Sequence, residues 1–264
     1  MSIFSRWRTR HCIGIERSDD VLYWVRLSGR ATRWWISGAG VSVPAELSYW
    51  HGCDAAISIP DNLVMRRQKK MMDQQDERDI QALIDLSLSE LFSNHQHLAS
   101  DFQRLDQNML EIYAVKREQV SALALWSRQH RLSLRCVEPQ SMALLRVLSQ
   151  HKQKSFKQCL IHGRADQLSW LIMIDHELIV SRQIDQNILP SHEVMTEMLL
   201  PQLAQYEVND ICLSGDVSPL IIDMLAKWPW LKVDYIQLPG LAINQPQQFT
   251  VALGLAMGEI NDKN

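Results

Sequence analysis

The chain has 264 residues, a hydrophobic fraction of 46%, a charged fraction of 22% and a formal net charge of −3. This composition is typical of a globular protein with a sizeable core, built as one large domain or two lobes. The small negative charge predicts no general attraction to nucleic acid. No run of about 18 apolar residues occurs, which argues against a membrane-spanning helix. The five cysteines are scattered singly beside apolar stretches, as expected for buried thiols in a reducing compartment such as the cytoplasm.

The N-terminal segment MSIFSRWRTRHC is basic but has no apolar core, so it does not resemble a secretory signal. Its aromatic and arginine residues could touch an anionic membrane surface. A frayed, solvated terminus is the simpler interpretation.

The first predicted element is a β-hairpin at residues 12–27, with a tight polar turn at 17–20. Val21, Tyr23 and Val25 fall on one face of its second strand, as the two-residue period of a β-strand requires. A third strand is predicted at 33–43. The chain therefore opens with a three-stranded meander, and its first turn has the shape of a phosphate-binding hairpin.

A short buried strand is predicted next, and from about residue 76 an amphipathic helix. The basic run at 66–70 is followed at once by acidic residues, so we interpret it as a solvated edge. The polar segment 150–157 is interpreted as a link between two lobes. The other elements predicted in this part are strands at 54–60, 109–115 and 131–137, a helix at 118–129, and a helix beginning at Pro139.

The second half repeats this order of parts. Pro201 inside its first helix predicts a kink or break at Leu200. The predicted elements are strands at 158–162, 168–174, 178–184, 210–213 and 232–236, and helices at 190–206, 217–227 and 249–259. The same order, a meander followed by helices, occurs in both halves of the sequence and predicts a duplicated α/β architecture. We place the first lobe at 1–150, with an inserted small subdomain at about 55–137, and the second lobe at 151–264.

This order resembles the actin-like ATPase superfamily, and within it the type IV pilus assembly protein PilM family with its short relatives in competence and mannose-sensitive pilus systems. The segments that carry the resemblance are CIGIERSDDVLYWVRL, AAISIP, LRCVEPQSMALLRVL, CLSGDVSPLIIDML and QQFTVALGLAMG. The resemblance covers nearly the whole chain and implies the duplicated actin-like (ribonuclease-H-like) fold. The four residues between Tyr206 and Ile211 leave no room for the small lobe that covers adenine in full-length members.

The first hairpin departs from the ATP-binding pattern, in which an acidic residue is followed by glycine and small hydroxyl residues. The corresponding residues here are Glu16, Arg17, Ser18, Asp19 and Asp20. Arg17 stands at the glycine position, and we expect its side chain to fill the space that a phosphate needs. Asp19 and Asp20 would repel a phosphate. Glu16 alone is a poor magnesium site.

The other two nucleotide motifs depart as well. In the second hairpin His162 replaces the metal-organising acid, although Gly163 is present. At the adenosine turn Ser214 and Gly215 remain, but Asp216 stands where a second glycine is expected. We therefore predict a pseudo-ATPase that uses neither ATP, magnesium nor any other cofactor.

The resemblance implies a non-catalytic cytoplasmic adaptor, peripheral at the inner face of the bacterial inner membrane. Its partner would be the short cytoplasmic tail of a PilN-like membrane protein, bound as an extended peptide between the first subdomain and the small insert. An assembly ATPase is a further partner that the resemblance allows. The candidate groove residues, each explained equally well by core packing, are Trp24, Ile57, Ile59, Leu83 and Leu86.

Two other interpretations stay open. The cytoplasmic domain of the type II secretion protein GspL shares the superfamily, but GspL continues into a transmembrane helix that is not present before Asn264. A functioning actin-like ATPase or sugar-kinase relative would need nucleotide affinity despite Arg17 and Asp216. The sequence contains no GxSxG, HExxH or GxxxxGK motif. His95 and His97 are a weak metal candidate on a polar stretch, so no metal site is predicted.

Overall fold

The structure is a computed structural model, and it describes residues 10–18, 21–30, 33–42, 50, 53–71, 77–105, 108–150, 156–164, 167–175, 177–185, 193–238, 240–241 and 243–261. The strands are β1 (Arg10–Ser18), β2 (Val21–Arg30), β3 (Arg33–Ser42), β4 (Asp54–Ile59), β5 (Val64–Lys70), β6 (Leu98–Leu105), β7 (Met109–Lys116), β8 (Ser133–Pro139), β9 (Lys157–Arg164), β10 (Gln167–Ile174), β11 (Glu177–Asp185), β12 (Asp210–Gly215) and β13 (Lys232–Tyr235). The α-helices are α1 (Glu77–Ser89), α2 (Arg117–Gln129), α3 (Gln140–Gln150), α4 (Leu200–Tyr206), α5 (Pro219–Leu225) and α6 (Thr250–Asn261).

The chain divides into two compact units. The larger unit combines residues 1–58 with 130–264, and the smaller unit spans 59–129. The sequence-based insert at about 55–137 is wider than the smaller unit, because strands β4 and β8 on either side of it belong to a sheet of the larger unit.

The first sheet of the larger unit has the strand order β3-β2-β1-β4-β8. β1, β2 and β3 form the predicted antiparallel meander, with Glu16 opposite Tyr23 and Cys12 opposite Leu27. β4 then pairs with β1 in parallel, so that Ile57 lies beside Ile15 in the middle of the sheet. These parallel central strands are apolar on both faces, as strands covered on both sides are.

The second sheet repeats the arrangement, with the order β11-β10-β9-β12-β13. β9, β10 and β11 form the second predicted meander. β12 pairs with β9 in parallel and brings Ser214 beside His162 and Gly215 beside Gly163. The predicted break near Pro201 is confirmed, because a π-helical segment (Val194–Leu199) gives way to α4 at Leu200.

Helix α6 packs on the first sheet, although it follows the second sheet in the chain. Gly14 of β1 allows this close approach, since a Cβ atom there would collide with the backbone oxygen of Ala252. One apolar cluster continues from Cys12 and Val25 of the first sheet to Leu160 and Leu171 of the second. The two sheets of the larger unit therefore share a core.

The smaller unit is a three-stranded antiparallel sheet, β5-β7-β6, with α1 on one face. Its core includes Ile80 and Ile84 of α1 and Leu110 and Ile112 of β7, all completely or almost completely buried. The predicted amphipathic stripe of α1 is confirmed. The basic run lies on edge strand β5, where Arg66 pairs with Glu111 while Arg67 and Lys69 pair with Glu90.

Candidate functional site

Glu16 is a buried carboxylate near the end of β1, only 1% exposed. Side chains alternate along a strand, so Cys12, Gly14 and Glu16 share the face that α6 covers. Gln140, the first residue of α3, donates a hydrogen bond from Nε2 to Glu16 Oε1 at 2.8 Å. A charged group in such a place needs close partners, since an unpaired buried charge is very costly.

These partners come from β9 in the second sheet. Arg164 approaches the Glu16 carboxylate at two points, with Nη2 2.8 Å from Oε2 and Nε 3.1 Å from Oε1. His162 lies on the same face of β9, and its Nε2 is 3.1 Å from Glu16 Oε1. His162 Nδ1 is 2.8 Å from the hydroxyl of Ser214. If Nε2 carries the proton, His162 donates to Glu16 and accepts from Ser214.

The guanidinium of Arg164 is also held from the other sides. Its Cζ lies 3.8 Å from the centroid of the Tyr23 ring, a cation–π contact. It donates to the backbone carbonyl of Gln248, and its Nη1 is 3.4 Å from Asp216 Oδ2. Gln248 in turn donates from Nε2 to Asp216 at 2.5 Å. Arg164 is consequently only 4% exposed, whereas the Asp216 side chain is 45% exposed.

The protonation states follow from these contacts. Burial on its own would raise the pKa of Glu16, but the charge of Arg164 and the contacts with His162 outweigh it and lower the pKa to about 2. Burial lowers the pKa of His162, although the Glu16 carboxylate acts in the opposite direction. The same carboxylate raises the pKa of Arg164 despite burial. At neutral pH the cluster is therefore an ion pair between Glu16 and Arg164, with a neutral imidazole beside it.

Ser214, His162 and Glu16 are connected in the order of a serine-hydrolase triad, but the arrangement cannot serve that chemistry. Ser214 has no exposed surface and His162 is only 2% exposed, so no substrate carbonyl can reach the hydroxyl. The negative charge of Glu16 is moreover already balanced by Arg164. We interpret this chain of hydrogen bonds as satisfaction of buried polar groups.

The structure brings together Glu16, His162, Ser214 and Asp216 from the predicted nucleotide motifs, which lie on three separate strands and the turn after the last of them. The expectation for Arg17 needs correction. Arg17 is exposed and lies on the opposite face of β1 from Glu16, so the cation beside the carboxylate is that of Arg164.

The other predicted residues of this site differ in position. Ser18 ends β1 and is half-buried, while Asp19 and Asp20 lie outside the described residues. Gly163 and Gly215 pack against each other: a Cβ at Gly163 would lie 2.5 Å from the carbonyl oxygen of Asp216. Gly215 has φ +69° and its added Cβ would collide with the carbonyl oxygen of Gly163. Both glycines are explained by close backbone packing.

Sequence reasoning missed Arg164, Gln140, Tyr23 and Gln248. Two of them had a detectable signal. Arg164 is two residues after His162, which places both on one face of a strand. Tyr23 is opposite Glu16 in the hairpin register. Gln140 reaches the site from the start of a helix and Gln248 from a short 3₁₀ helix, positions with no periodic pattern.

The candidate groove residues differ in how exposed they are. Ile57 and Ile59 are 0% and 3% exposed in β4, so their prediction as groove-lining residues is wrong. Trp24 is half-buried and makes an edge-to-face contact with a second tryptophan. In the smaller unit, Leu83 packs against the apolar cluster, and Leu86 is 59% exposed.

The smaller unit contains a pocket of about 970 Å³. Its lining combines apolar side chains from the start of β5, the end of β7 and the segment after α1 with charged residues. The charged residues are Lys116 at the end of β7 and Arg117 and Glu118 at the start of α2. The lining includes Leu63, Phe92, Leu98, Val115, Lys116 and Arg117. Leu63 and Phe92 are 43% and 39% exposed, so the pocket presents apolar surface to solvent.

Within the described part of the chain, no group of three or more His, Cys, Asp or Glu side chains is placed to hold a metal ion. His95 and His97 form a short 3₁₀ turn without buried residues. None of the described helices is long and apolar enough to cross a membrane.

No protein-family model matches the chain, and no curated protein matches it by sequence. Solved structures do match. One is a PilM–PilN type IV pilus biogenesis complex, with a TM-score of 0.65 and 14% identity over 94% of this chain and 98% of the matched chain. A second is the cytoplasmic domain of EpsL, an inner-membrane component of the type II secretion system of Vibrio cholerae, with a TM-score of 0.57 and 8% identity over 96% and 95% of the two chains.

A third is a protein of unknown function with an actin-like ATPase fold from Bacteroides thetaiotaomicron, with a TM-score of 0.56 and 14% identity over 96% of this chain and 98% of the other. At such low identity these matches establish the fold alone. The chain has the actin-like fold, and the predicted fold class is confirmed.

Proposed function

We propose that this protein is a non-catalytic adaptor in the inner-membrane assembly platform of a type IV pilus, an MSHA-type pilus or a competence pseudopilus. It would bind the cytoplasmic tail of a PilN-like membrane protein and remain peripheral to the membrane. The observation that carries the non-catalytic part is the buried Glu16–Arg164 pair, which lies beside His162 and Ser214 of the predicted nucleotide motifs. The PilM–PilN complex among the structures of the same fold supports the choice of partner.

The pair disfavours nucleotide for two physical reasons. The donors that a phosphate would need, on Arg164, His162 and Gln140, already point at the Glu16 carboxylate. A phosphate would have to take these donors from the Glu16 carboxylate and would then lie close to the negative charges of Glu16 and Asp216. Like charges at such distances repel one another by several kcal/mol where water is largely excluded, roughly 4 kcal/mol at 4 Å for an effective dielectric of 20.

The pocket of the smaller unit is our candidate for the tail. Phe92 and Leu63 offer exposed apolar surface, and Lys116 and Arg117 lie at the same pocket. This combination fits an extended peptide that inserts an apolar side chain and carries an acidic group nearby.

Calorimetric titration with Mg-ATP tests the non-catalytic part. We expect no binding heat with up to millimolar nucleotide, because the Glu16–Arg164 pair uses the available donors. Saturable binding in the micromolar range would refute this part of the proposal.

Titration with a synthetic peptide of the tail, taken from the membrane protein encoded beside this chain, tests the partner. Phe92→Glu places a charge in the pocket and should weaken binding at least tenfold, which corresponds to about 1.4 kcal/mol. Leu125→Glu is the matched control, since Leu125 is an exposed leucine of α2 outside the pocket lining. Equal loss in both variants, or absence of binding by the unaltered protein, would contradict the proposal. Stronger binding of a type II secretion tail would favour the secretion alternative.

A further inference from the structure

Arg164 connects the two sheets of the larger unit. It belongs to β9 of the second sheet, but its two-point contact with Glu16 and its stacking on Tyr23 reach β1 and β2 of the first. Its remaining contacts, with Asp216 and the Gln248 carbonyl, hold the guanidinium on its own side. The side chain is therefore fixed from both directions.

His162 provides a second connection at the same place. Its ring lies between Glu16 of the first sheet and Ser214 of the second, with both contacts at hydrogen-bonding distance. Gln140 adds a donor from α3. All four of these side chains are at least nine-tenths buried.

The rest of the contact between the sheets is of a different kind. The shared core around α3 and α6 consists mainly of apolar side chains, and Arg146 of α3 also donates to the backbone carbonyl of Gly254 in α6. Apolar contact is non-directional, so it tolerates small sliding motions. An arginine fork on a carboxylate is directional, because a displacement of about 1 Å breaks both of its hydrogen bonds. A buried ion pair of this type contributes little net stability but can select a single arrangement.

We propose that the Glu16–Arg164 pair is a permanent clasp that holds the two sheets of the larger unit in one relative arrangement without any bound ligand. This inference rests on the larger unit alone and not on the partner proposed above. Without the clasp, the unit still has its apolar core and stays folded, but the two sheets sample more than one separation.

Distances between spin labels on the two sheets test the clasp. The labels are placed at Trp35→Cys on edge strand β3 and Arg182→Cys on edge strand β11, both exposed positions. The background carries Cys136→Ser, because Cys136 is only half-buried whereas the other four cysteines are buried. The protein with Arg164 intact should give one narrow distance distribution.

Arg164→Met should broaden this distribution or add a second distance, and Arg164→Lys, which keeps the charge, should restore most of the narrow distribution. The matched control is Arg66→Met, which removes an arginine from the buried carboxylate of Glu111 inside the smaller unit. It should lower stability without changing the label distances. If Arg164→Met does not fold, Glu16→Gln removes the charge from the other side and should give the same broadening.

A narrow distribution in folded Arg164→Met or Glu16→Gln would overturn the proposal, as would equal broadening in Arg66→Met. Binding of the partner tail is not measured in this experiment, so failure of the clasp and failure of the proposed function are separate outcomes.

Discussion

Replacement of Arg164 by methionine should destabilise the protein far more than removal of an ordinary surface cation. The change keeps an unbranched side chain of similar length but removes both charge-assisted hydrogen bonds to Glu16, at 2.8 and 3.1 Å. Glu16 stays 1% exposed, with only neutral donors from His162 and Gln140. Its carboxylate must then be buried without a counter-charge or take up a proton.

The expected magnitude is about 3–5 kcal/mol, the typical cost of removing one partner from a buried ion pair. This is a large part of the 5–15 kcal/mol that usually separates native and unfolded states. By contrast, the double variant Arg164→Met with Glu16→Leu leaves no buried charge. It should be more stable than Arg164→Met alone, because apolar replacement of both partners is often close to neutral.

Urea unfolding at pH 7 of the unaltered protein, both single variants and the double variant measures this coupling. Arg135→Met is the surface control, since Arg135 is 55% exposed and its pair with Asp54 should contribute less than about 1 kcal/mol. Additive costs of the two single changes, or a double variant less stable than Arg164→Met, would refute our account of the pair.

Three further predictions concern the same region. The free energy of unfolding should fall as the pH is lowered from 7.5 to 5.5. Burial lowers the pKa of His162 in the native state, so the unfolded chain, with the ordinary pKa of 6.5, takes up a proton that the native state excludes. In urea unfolding, His162→Gln should reduce the slope of stability against pH by at most about 1.4 kcal/mol per pH unit. Gly215→Ala should lower the free energy of unfolding by roughly 2–4 kcal/mol, because the backbone is strained at φ +69° and the added Cβ collides with Gly163. Gly240→Ala is the comparison, since Gly240 has φ +87° but no contact closer than 3.5 Å, and it should cost only the strain of roughly 1–2 kcal/mol. Thermal unfolding measures both variants. Gly14→Ala should displace α6 from β1 and increase hydrogen exchange of both elements, and unchanged exchange would contradict the packing described for them.

Glu16 affects the stability of the protein in a second, lower pH range. The pKa of Glu16 is lowered to about 2 from the ordinary 4.5, so its contribution is fully present above pH 4.5 and is lost as the pH falls towards 2. The groups that face His162 are Glu16, Ser214, Arg164 and Asp216. The decline in stability between pH 7.5 and 5.5 therefore has to come from groups other than Glu16, and a smaller slope in His162→Gln would identify the imidazole as one of them.

Both meanders could be predicted from the sequence because their two-residue periods and polar turns are local signals. The grouping of Glu16, His162 and Ser214 was implied by the resemblance to the actin-like family, and the structure brings the three residues together from β1, β9 and β12. The role of Arg164 could not be read in this way. Arg164 and Glu16 are separated by 148 residues, and their contact depends on how the two sheets meet.

The groove prediction failed for a different reason. Ile57 and Ile59 alternate with small residues in β4, a pattern that fits an exposed face as well as a buried one. In a parallel central strand both faces are covered, so periodicity carries no information on which residues a ligand could reach. The pocket in the smaller unit is formed by residues from three segments, 62–65, 92–98 and 114–121, which are far apart in sequence.

Gly163 and Gly215 occupy motif positions where a glycine can be required by backbone packing alone. In a nucleotide-binding hairpin, glycine is explained by the approach of a phosphate to the backbone. Here the two glycines lie opposite each other in neighbouring parallel strands, and the amide of Asp216 donates to the carbonyl of Gly163 at 2.8 Å. The same residues are thus required by the joining of β9 to β12, with or without a ligand. In this chain the charge beside the two glycines is that of Arg164, which is already paired with Glu16.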